Sequence, residues 1–334
     1  MNVSLLGAGS WGTALAIVLA KNGHNVKLWS ALEAEINMLK EHREHKERLP
    51  GVILPDNIEI ESDLETACTN QELIVFSVAS PFVRSTAKLA KEFIKEGQKI
   101  VNVAKGIEEA TLFTLSQVLE DEIPQADIAV LSGPSHAEEV SKGIPTTVVI
   151  GAKSKETAEF IQDTFMNEFF RVYTSPDIVG IELGAALKNV IALAAGVVDG
   201  LGYGDNTKAA LMTRGMHEIN QLGVAMGGKP ETFFGLSGIG DLIVTCTSLH
   251  SRNRNAGYLI GQGKTAKEAM EEVKQVVEGV HCAKAALALA KKYNVDMPIV
   301  EQVNEVIFND KPAKEALSVL FSRDKKNENS TLAW

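Results

Sequence analysis

Met1-Asn2-Val3-Ser4-Leu5-Leu6-Gly7-Ala8-Gly9-Ser10-Trp11-Gly12 carries a short apolar run into three glycines spaced G-x-G-x-x-G, and a helical pattern, Thr13 to Lys21, follows at once. A second apolar run, Val26 to Trp29, completes the unit. The order strand, glycine turn, helix, strand gives each glycine a separate task. Gly7 permits the tight turn, Gly9 lets a diphosphate approach the backbone with no Cβ in the way, and Gly12 lets the helix pack closely on the strand, while the first-turn N–H groups face the anion. Glycines that merely mark a turn are the alternative, and the flanking strand and helix outweigh it. The first residues have no basic n-region and no cleavage pattern, so they read as a strand rather than an export signal.

Outward from this unit, short apolar runs alternate with helical patterns to about residue 150. Val3 to Leu6, Val26 to Trp29, Leu73 to Val78, Ile100 to Ala104, Ile128 to Leu131 and Thr147 to Ile150 are the predicted strands, which makes the fold class α/β with a doubly wound, parallel sheet. Beyond about residue 176 the strand signal disappears and Ala/Leu-rich helical patterns continue to Ala316–Phe321, predicting an all-helical C-terminal domain. The expected division is 1–180 for a dinucleotide-binding domain, 181–322 for a helical substrate-binding domain and 323–334 for a poorly ordered, polar tail. A chain of 334 residues exceeds what one core usually serves, so two domains are expected.

A hydrophobic share of 45% and a charged share of 23% are those of a folded enzyme and argue against disorder or a fibrous repeat. The net charge of −10 argues against nucleic acid or an anionic membrane as partner, so an anionic ligand would need a locally basic site. Cys68, Cys246 and Cys282 are odd in number and widely spaced, signalling neither disulfides nor a zinc site. No metal is expected. Leu183 to Val198 is the longest apolar run, yet Lys188 and Asn189 inside it argue against a membrane span. A cytoplasmic protein is expected.

Ligands of open α/β sheets bind beyond the carboxyl ends of the strands. Three such ends are unusual: Ala79-Ser80-Pro81-Phe82, Lys105-Gly106, and Ser132-Gly133-Pro134-Ser135-His136-Ala137. Each can be a plain turn; Lys105, between a strand and a glycine, favours function, whereas His136 reads as a positioning or surface residue. Farther on, Gly180 to Ala192 is apolar on nearly every face, with Lys188 in its middle. A buried ammonium costs several kcal/mol unless paired, so Lys188 is a candidate acid that protonates a carbonyl oxygen as hydride reaches its carbon; the alternative is a lysine whose head reaches water. Gly235 to Leu242 reads as a flexible approach to Asp241, which can pair with Lys188 or simply cap a helix. Ser251, Arg252 and Asn253 suit a phosphate, although a solvated charge run gives the same pattern. At the end of the second strand, where an Asp or Glu would read a ribose hydroxyl, stand Ser30 and Ala31, with Glu33 next and Arg43, Lys46 and Arg48 beyond; the balance tips slightly to NAD over NADP.

Taken in order, Gly7-Ala8-Gly9-Ser10-Trp11-Gly12, Ala104-Lys105-Gly106, Ser132-Gly133-Pro134-Ser135, Leu187-Lys188-Asn189-Val190, Gly240-Asp241-Leu242, Ser251-Arg252-Asn253-Arg254 and Val277-Glu278-Gly279 resemble the bacterial NAD(P)-dependent glycerol-3-phosphate dehydrogenase family over nearly the whole chain. The resemblance implies a Rossmann-type domain followed by a helical one. It further implies reduction of dihydroxyacetone phosphate to sn-glycerol 3-phosphate with NAD(P)H, a role in glycerophospholipid synthesis, and a homodimer. It makes Lys188 the proton donor and acceptor. Lys105, Gly133, Ser135, Lys188, Asp241, Ser251, Arg252 and Asn253 become substrate contacts, and Ser10, Trp11, Lys105, Ala137, Arg252, Val276 and Glu278 cofactor contacts. Ala31 stands where the family often has a basic residue or histidine, so NADP preference stays open. A different hydroxyacid or sugar-phosphate dehydrogenase is the competing enzymatic reading, and a nucleotide-sensing module without chemistry is the other.

Overall fold

The computed structural model describes residues 1–328. Its first half is one sheet of eight strands: β1 (Asn2–Leu6), β2 (Asn25–Trp29), β3 (Ile58–Glu61), β4 (Leu73–Phe76), β5 (Lys99–Asn102), β6 (Asp127–Ser132), β7 (Thr146–Ala152) and β8 (Phe170–Ser175). They lie in the order β3-β2-β1-β4-β5-β6-β7-β8. The chain leaves β1 in one direction and returns at β4 in the other, so the crevice between these two strands is the switch point at which an open sheet binds its ligand. Leu5 faces Leu28 on one side and Val75 on the other, all fully buried. Such strands, apolar on both faces, are those of a sheet covered by helices on each side.

All six predicted strands are present. Two were not anticipated, β3 and β8, and both are edge strands. Their sequences, Ile-Glu-Ile-Glu and Phe-Arg-Val-Tyr-Thr-Ser, bury alternate residues and place charges or polar groups between them, so they lack the continuous apolar run that marks the inner strands. The sheet is also not wholly parallel, because β7 runs antiparallel to β6. Between those two strands stands only the short helix Ala137–Val140.

From Ile178 onward the chain is helical. The helix Ile178–Gly200 passes through the middle of this half, with the helices Asp205–Ala225, Asp241–Thr247, Arg252–Gly261 and Glu278–Lys292 packed around it. It is long and apolar enough to cross a membrane, but 89% of its most apolar window is buried inside the fold. Helix Arg252–Gly261 lies against it almost backbone to backbone. A Cβ on Gly196 would stand 2.0 Å from the Arg254 carbonyl oxygen, and one on Gly257 2.0 Å from that of Leu193. Only glycine permits this approach, and it sets the depth at which Lys188 and Asn189 sit. Of the expected tail, 323–328 carries no helix or strand, and Arg323 and Lys326 pair with Asp296 at the surface; 329–334 lie outside the described residues.

Candidate active site

The glycine loop has the form expected of it. Gly7 has φ +120°, and a Cβ there would stand 2.6 Å from the Val78 nitrogen; one on Gly12 would stand 2.0 Å from the Gly7 carbonyl oxygen. The helix Ser10–Lys21 begins with Gly9 at its cap and no side chain bonded to its first N–H groups, which leaves them to an anion. Beside them the indole Nε1 of Trp11 is buried without a partner among the described residues. A loop with open N–H donors and an orphaned indole donor fits a dinucleotide diphosphate. Ala31 is exposed at the end of β2, and Glu33 is exposed in the first turn of the next helix. Glu35 is the buried carboxylate here: it accepts from Ser30 Oγ at 2.5 Å and bonds His45 Nε2 at 2.9 Å. Of the three basic residues that follow, Arg43 donates to the carbonyls of Ile58 and Pro55 and Lys46 is exposed. Arg48 folds back, its Nη1 3.4 Å from the Cβ position of Gly9.

The second cluster joins the two halves of the molecule. Lys188 is 5% exposed and Asp241 1%. Lys188 Nζ donates to Asp241 Oδ1 at 2.7 Å and to Thr245 Oγ1 at 2.6 Å. Lys105, from the end of β5, donates to Asp241 Oδ2 at 2.6 Å and to the Gly133 carbonyl, beyond β6, at 3.1 Å. One carboxylate is thus clamped between two ammoniums. Burial pushes the Asp241 carboxyl up, but Lys105 and Lys188 outweigh it and hold it below the usual carboxylate range. For Lys188 burial dominates: against the pull of Asp241, and helped by the repulsion of Lys105, it lowers the ammonium to about 8. An ammonium so placed exchanges its proton near neutral pH. Gly235–Asp241 is no flexible approach; Leu236–Gly240 forms a π-helical turn that runs into the helix Asp241–Thr247. Thr245, which the sequence reading missed, lies one helical turn beyond Asp241, and that spacing of four is the signal that would have found it.

Contacts between backbones and side chains close a ring around this clamp. Asn253 Nδ2 donates to Asn189 Oδ1 at 3.0 Å, and the Gly279 amide donates to Asn253 Oδ1 at 2.8 Å. Glu278, first residue of its helix, accepts from the Ser80 amide at 3.2 Å and from the Ser80 hydroxyl. A Cβ on Gly106 would stand 2.6 Å from that of Ser80, which brings the circuit back to Lys105. Ser135 Oγ donates to the Gly133 carbonyl at 2.9 Å, and Ala137 is buried at the start of the helix that follows His136. Ser251 caps the helix Arg252–Gly261 by accepting from the Arg254 amide at 3.2 Å. Arg252 stands exposed at the N-terminus of that helix, and Val276 is half-buried two residues ahead of Glu278. The basic run itself divides, because Arg254 pairs at 2.6 Å with Asp199, in the last turn of the central helix.

Two family descriptions match the chain: NAD-dependent glycerol-3-phosphate dehydrogenase N-terminus over residues 2–158, and the C-terminus of the same family over 177–318. A protein of Agathobacter rectalis called glycerol-3-phosphate dehydrogenase [NAD(P)+] is 64% identical over 332 residues, covering 99% of each chain. A protein of the same name from Fusobacterium nucleatum is 57% identical over 330 residues, covering 98% of each. The crystal structure of glycerol-3-phosphate dehydrogenase from Coxiella burnetii superposes with a TM-score of 0.94 at 35% identity, over 96% of this chain and 99% of that one. The chain belongs to the NAD-dependent glycerol-3-phosphate dehydrogenase family.

Proposed function

We propose that this chain reduces dihydroxyacetone phosphate to sn-glycerol 3-phosphate with NAD(P)H, as a glycerol-3-phosphate dehydrogenase [NAD(P)+], and that Lys188 is its proton donor and acceptor. The observation that carries the reading is the clamp of Asp241 between Lys105 and the buried Lys188, a pair of ammoniums at the mouth of a dinucleotide fold. A nicotinamide dinucleotide, when bound, supplies the hydride. It would be held by Gly7, Gly9, Ser10, Trp11 and Gly12, with Ala31 at the ribose end and Lys105, Ala137, Arg252, Val276 and Glu278 nearer the reacting end. Lys188 gives its proton to the carbonyl oxygen and recovers it in the reverse direction, a contribution of about 10²–10⁴ in rate for a positioned acid. Lys105 and Asp241 orient the carbonyl end, with Gly133 and Ser135 lining it. Arg252, at a helix N-terminus, takes the phosphate, supported by Ser251 and by the second amide N–H of Asn253.

In this reading residues 1–180 form the cofactor-binding domain and 181–322 the substrate domain. The protein acts in the cytoplasm as a homodimer, without inserting into a membrane, and supplies glycerol 3-phosphate for glycerophospholipids. The test is nicotinamide absorbance on mixing the protein with dihydroxyacetone phosphate and NADH or NADPH. Oxidation of the cofactor with the phosphorylated ketone, and not with dihydroxyacetone, is the expected result. Equal rates with both ketones, or turnover of 2-oxo acids instead, would sink the assignment; the ratio of the two cofactor rates measures the preference that Ala31 and Arg48 set.

A further inference from the structure

We propose that Glu35, acting through Arg48, makes this chain take a dinucleotide with a free ribose 2′-hydroxyl in preference to one with a 2′-phosphate; this rests on the reading of the glycine loop as a nicotinamide dinucleotide site. Dinucleotide folds read the ribose at the end of the second strand, with an acid for the hydroxyl or an arginine for the phosphate. Ala31 is neither, and Glu33 is exposed. The carboxylate that returns to this strand end is Glu35, buried in the first turn of the helix Glu33–His42. Its Oε2 accepts from Ser30 Oγ at 2.5 Å, and Ser30, the residue after β2, accepts in turn from the Leu32 amide at 3.1 Å. Trp29, the last residue of β2, accepts through its carbonyl from the Gly7 amide at 2.9 Å. Strand end, glycine loop and buried carboxylate are thus one connected piece.

The other oxygen of Glu35, Oε1, holds two partners. His45 Nε2 lies 2.9 Å from it and Arg48 Nη1 3.4 Å. The Arg48 amide donates to His45 Nδ1 at 3.3 Å, which makes that nitrogen the acceptor and leaves Nε2 to carry the ring hydrogen towards Glu35. Backbone and guanidinium of Arg48 are therefore fixed by the same pair of side chains. The guanidinium is held over the glycine loop, 3.4 Å from the Cβ position of Gly9. Burial pushes the Glu35 carboxyl up, but His45, Ser30 and Arg48 outweigh it and hold it below the usual carboxylate range, so it is anionic at neutral pH. Arg48 thus meets its counter-charge inside the protein. Of the other two cations near by, Arg43 is spent on the carbonyls of Ile58 and Pro55, and Lys46 stands exposed, where water and salt screen it. A 2′-phosphate brought to this strand end finds an arginine already paired and a buried carboxylate behind it. A 2′-hydroxyl, being neutral, meets no such repulsion.

The experiment is equilibrium binding, read by nicotinamide fluorescence for NADH and NADPH and by displacement of NADH with ADP or 2′,5′-ADP. The parent should bind NADH and ADP more tightly than their 2′-phosphorylated counterparts. Glu35→Gln removes the counter-charge and frees Arg48, so NADPH and 2′,5′-ADP should gain about tenfold or more, the worth of one charge-assisted bond, while NADH and ADP change little. Adding Arg48→Gln should abolish that gain. A parent that prefers the phosphorylated ligands overturns the proposal. So does a Glu35→Gln protein whose ranking is unmoved or whose affinities all fall alike, and so does a gain that survives the loss of Arg48. Arg48→Gln alone, at a half-buried position, decides the matter if Glu35→Gln misfolds: it leaves the carboxylate uncompensated, so the phosphorylated pair should weaken more than the other, and an unmoved ratio overturns the idea. The two readings separate. A parent that binds NADH yet reduces no ketone defeats the reaction alone, whereas one that turns over ketone with the ranking reversed defeats this inference alone.

Discussion

At the scale of single residues, the clamp ties pH to direction. With Lys188 titrating at about 8, the charged form needed for ketone reduction predominates below that pH and the neutral form needed for alcohol oxidation above it. The kcat for reduction should therefore fall as pH rises through about 8, and the kcat for oxidation should rise through the same value. Asp241 is the group that raises this pKa against burial. Asp241→Asn removes that pull and leaves burial and Lys105 unopposed, so the reductive limb should move to lower pH; a limb that stays in place would deny Asp241 its part in setting the acid. Lys188→Ala should keep cofactor affinity, measured by fluorescence titration, and lose about 10²–10⁴ in kcat. Arg252→Ala should chiefly raise KM for the phosphorylated ketone, by roughly tenfold or more for a lost charge-assisted bond. Lys188, Asp241 and Lys105 were legible in the sequence because a charge in an apolar helix, or between a strand and a glycine, demands a partner. The Asn189–Asn253 pairing was not, since uncharged polar residues carry no such demand and these two lie far apart in the chain; Thr245, four residues beyond Asp241, was within reach of a spacing argument.

At the scale of elements, the site depends on how deeply helix Arg252–Gly261 seats against helix Ile178–Gly200. Gly196 and Gly257 let the two backbones touch, and Asn253 then reaches both Asn189 and the Gly279 amide. A side chain at Gly257 must push the helices apart. Gly257→Val is expected to cost about 1–3 kcal/mol, as overpacking typically does, and to reduce kcat as well by displacing Asn189 and its neighbour Lys188. Urea unfolding with parallel kinetics checks both, and a destabilised variant with full kcat would show that the seating matters to stability alone. The inner strands were readable because burial on both faces writes continuous apolar runs. The edge strands β3 and β8, half-exposed and carrying Glu59, Glu61 and Arg171, were not. The π-helical turn before Asp241 was read as loop for a related reason: Gly235, Gly238 and Gly240 signal a break, while here small residues let Leu236–Gly240 pack against Phe233 and the central helix.

At the scale of the whole molecule, the clamp and the contacts around it draw on both halves of the chain, and their geometry is no better than the joint between them. Lys105 and Ser80 belong to the sheet, Lys188, Asp241 and Glu278 to the helices. Away from the clamp, Glu182 of the central helix reaches the first turn of helix Leu115–Glu122, accepting from the Ser116 amide at 2.8 Å and from its hydroxyl at 2.5 Å. It is buried, and burial raises its pKa although Ser116 and Thr114 oppose this. A folded state that binds this proton more tightly than the unfolded chain loses stability as pH rises from the ordinary carboxyl range through the raised value. Glu182→Gln keeps an acceptor for the Ser116 amide and cannot ionise, so it should lie close to the parent below that window and gain on it above. Glu182→Ala instead leaves a buried amide unsatisfied, at about 1–3 kcal/mol, and removes the joint. Thermal melts at pH 4.5 and 8 for the three proteins, together with KM for cofactor and ketone, test this. A flat difference between Gln variant and parent across pH would mean that Glu182 does not titrate in this range. An Ala variant that melts lower but keeps both KM values would mean that the clamp and the Ser80–Glu278 contact hold the two units in register without it.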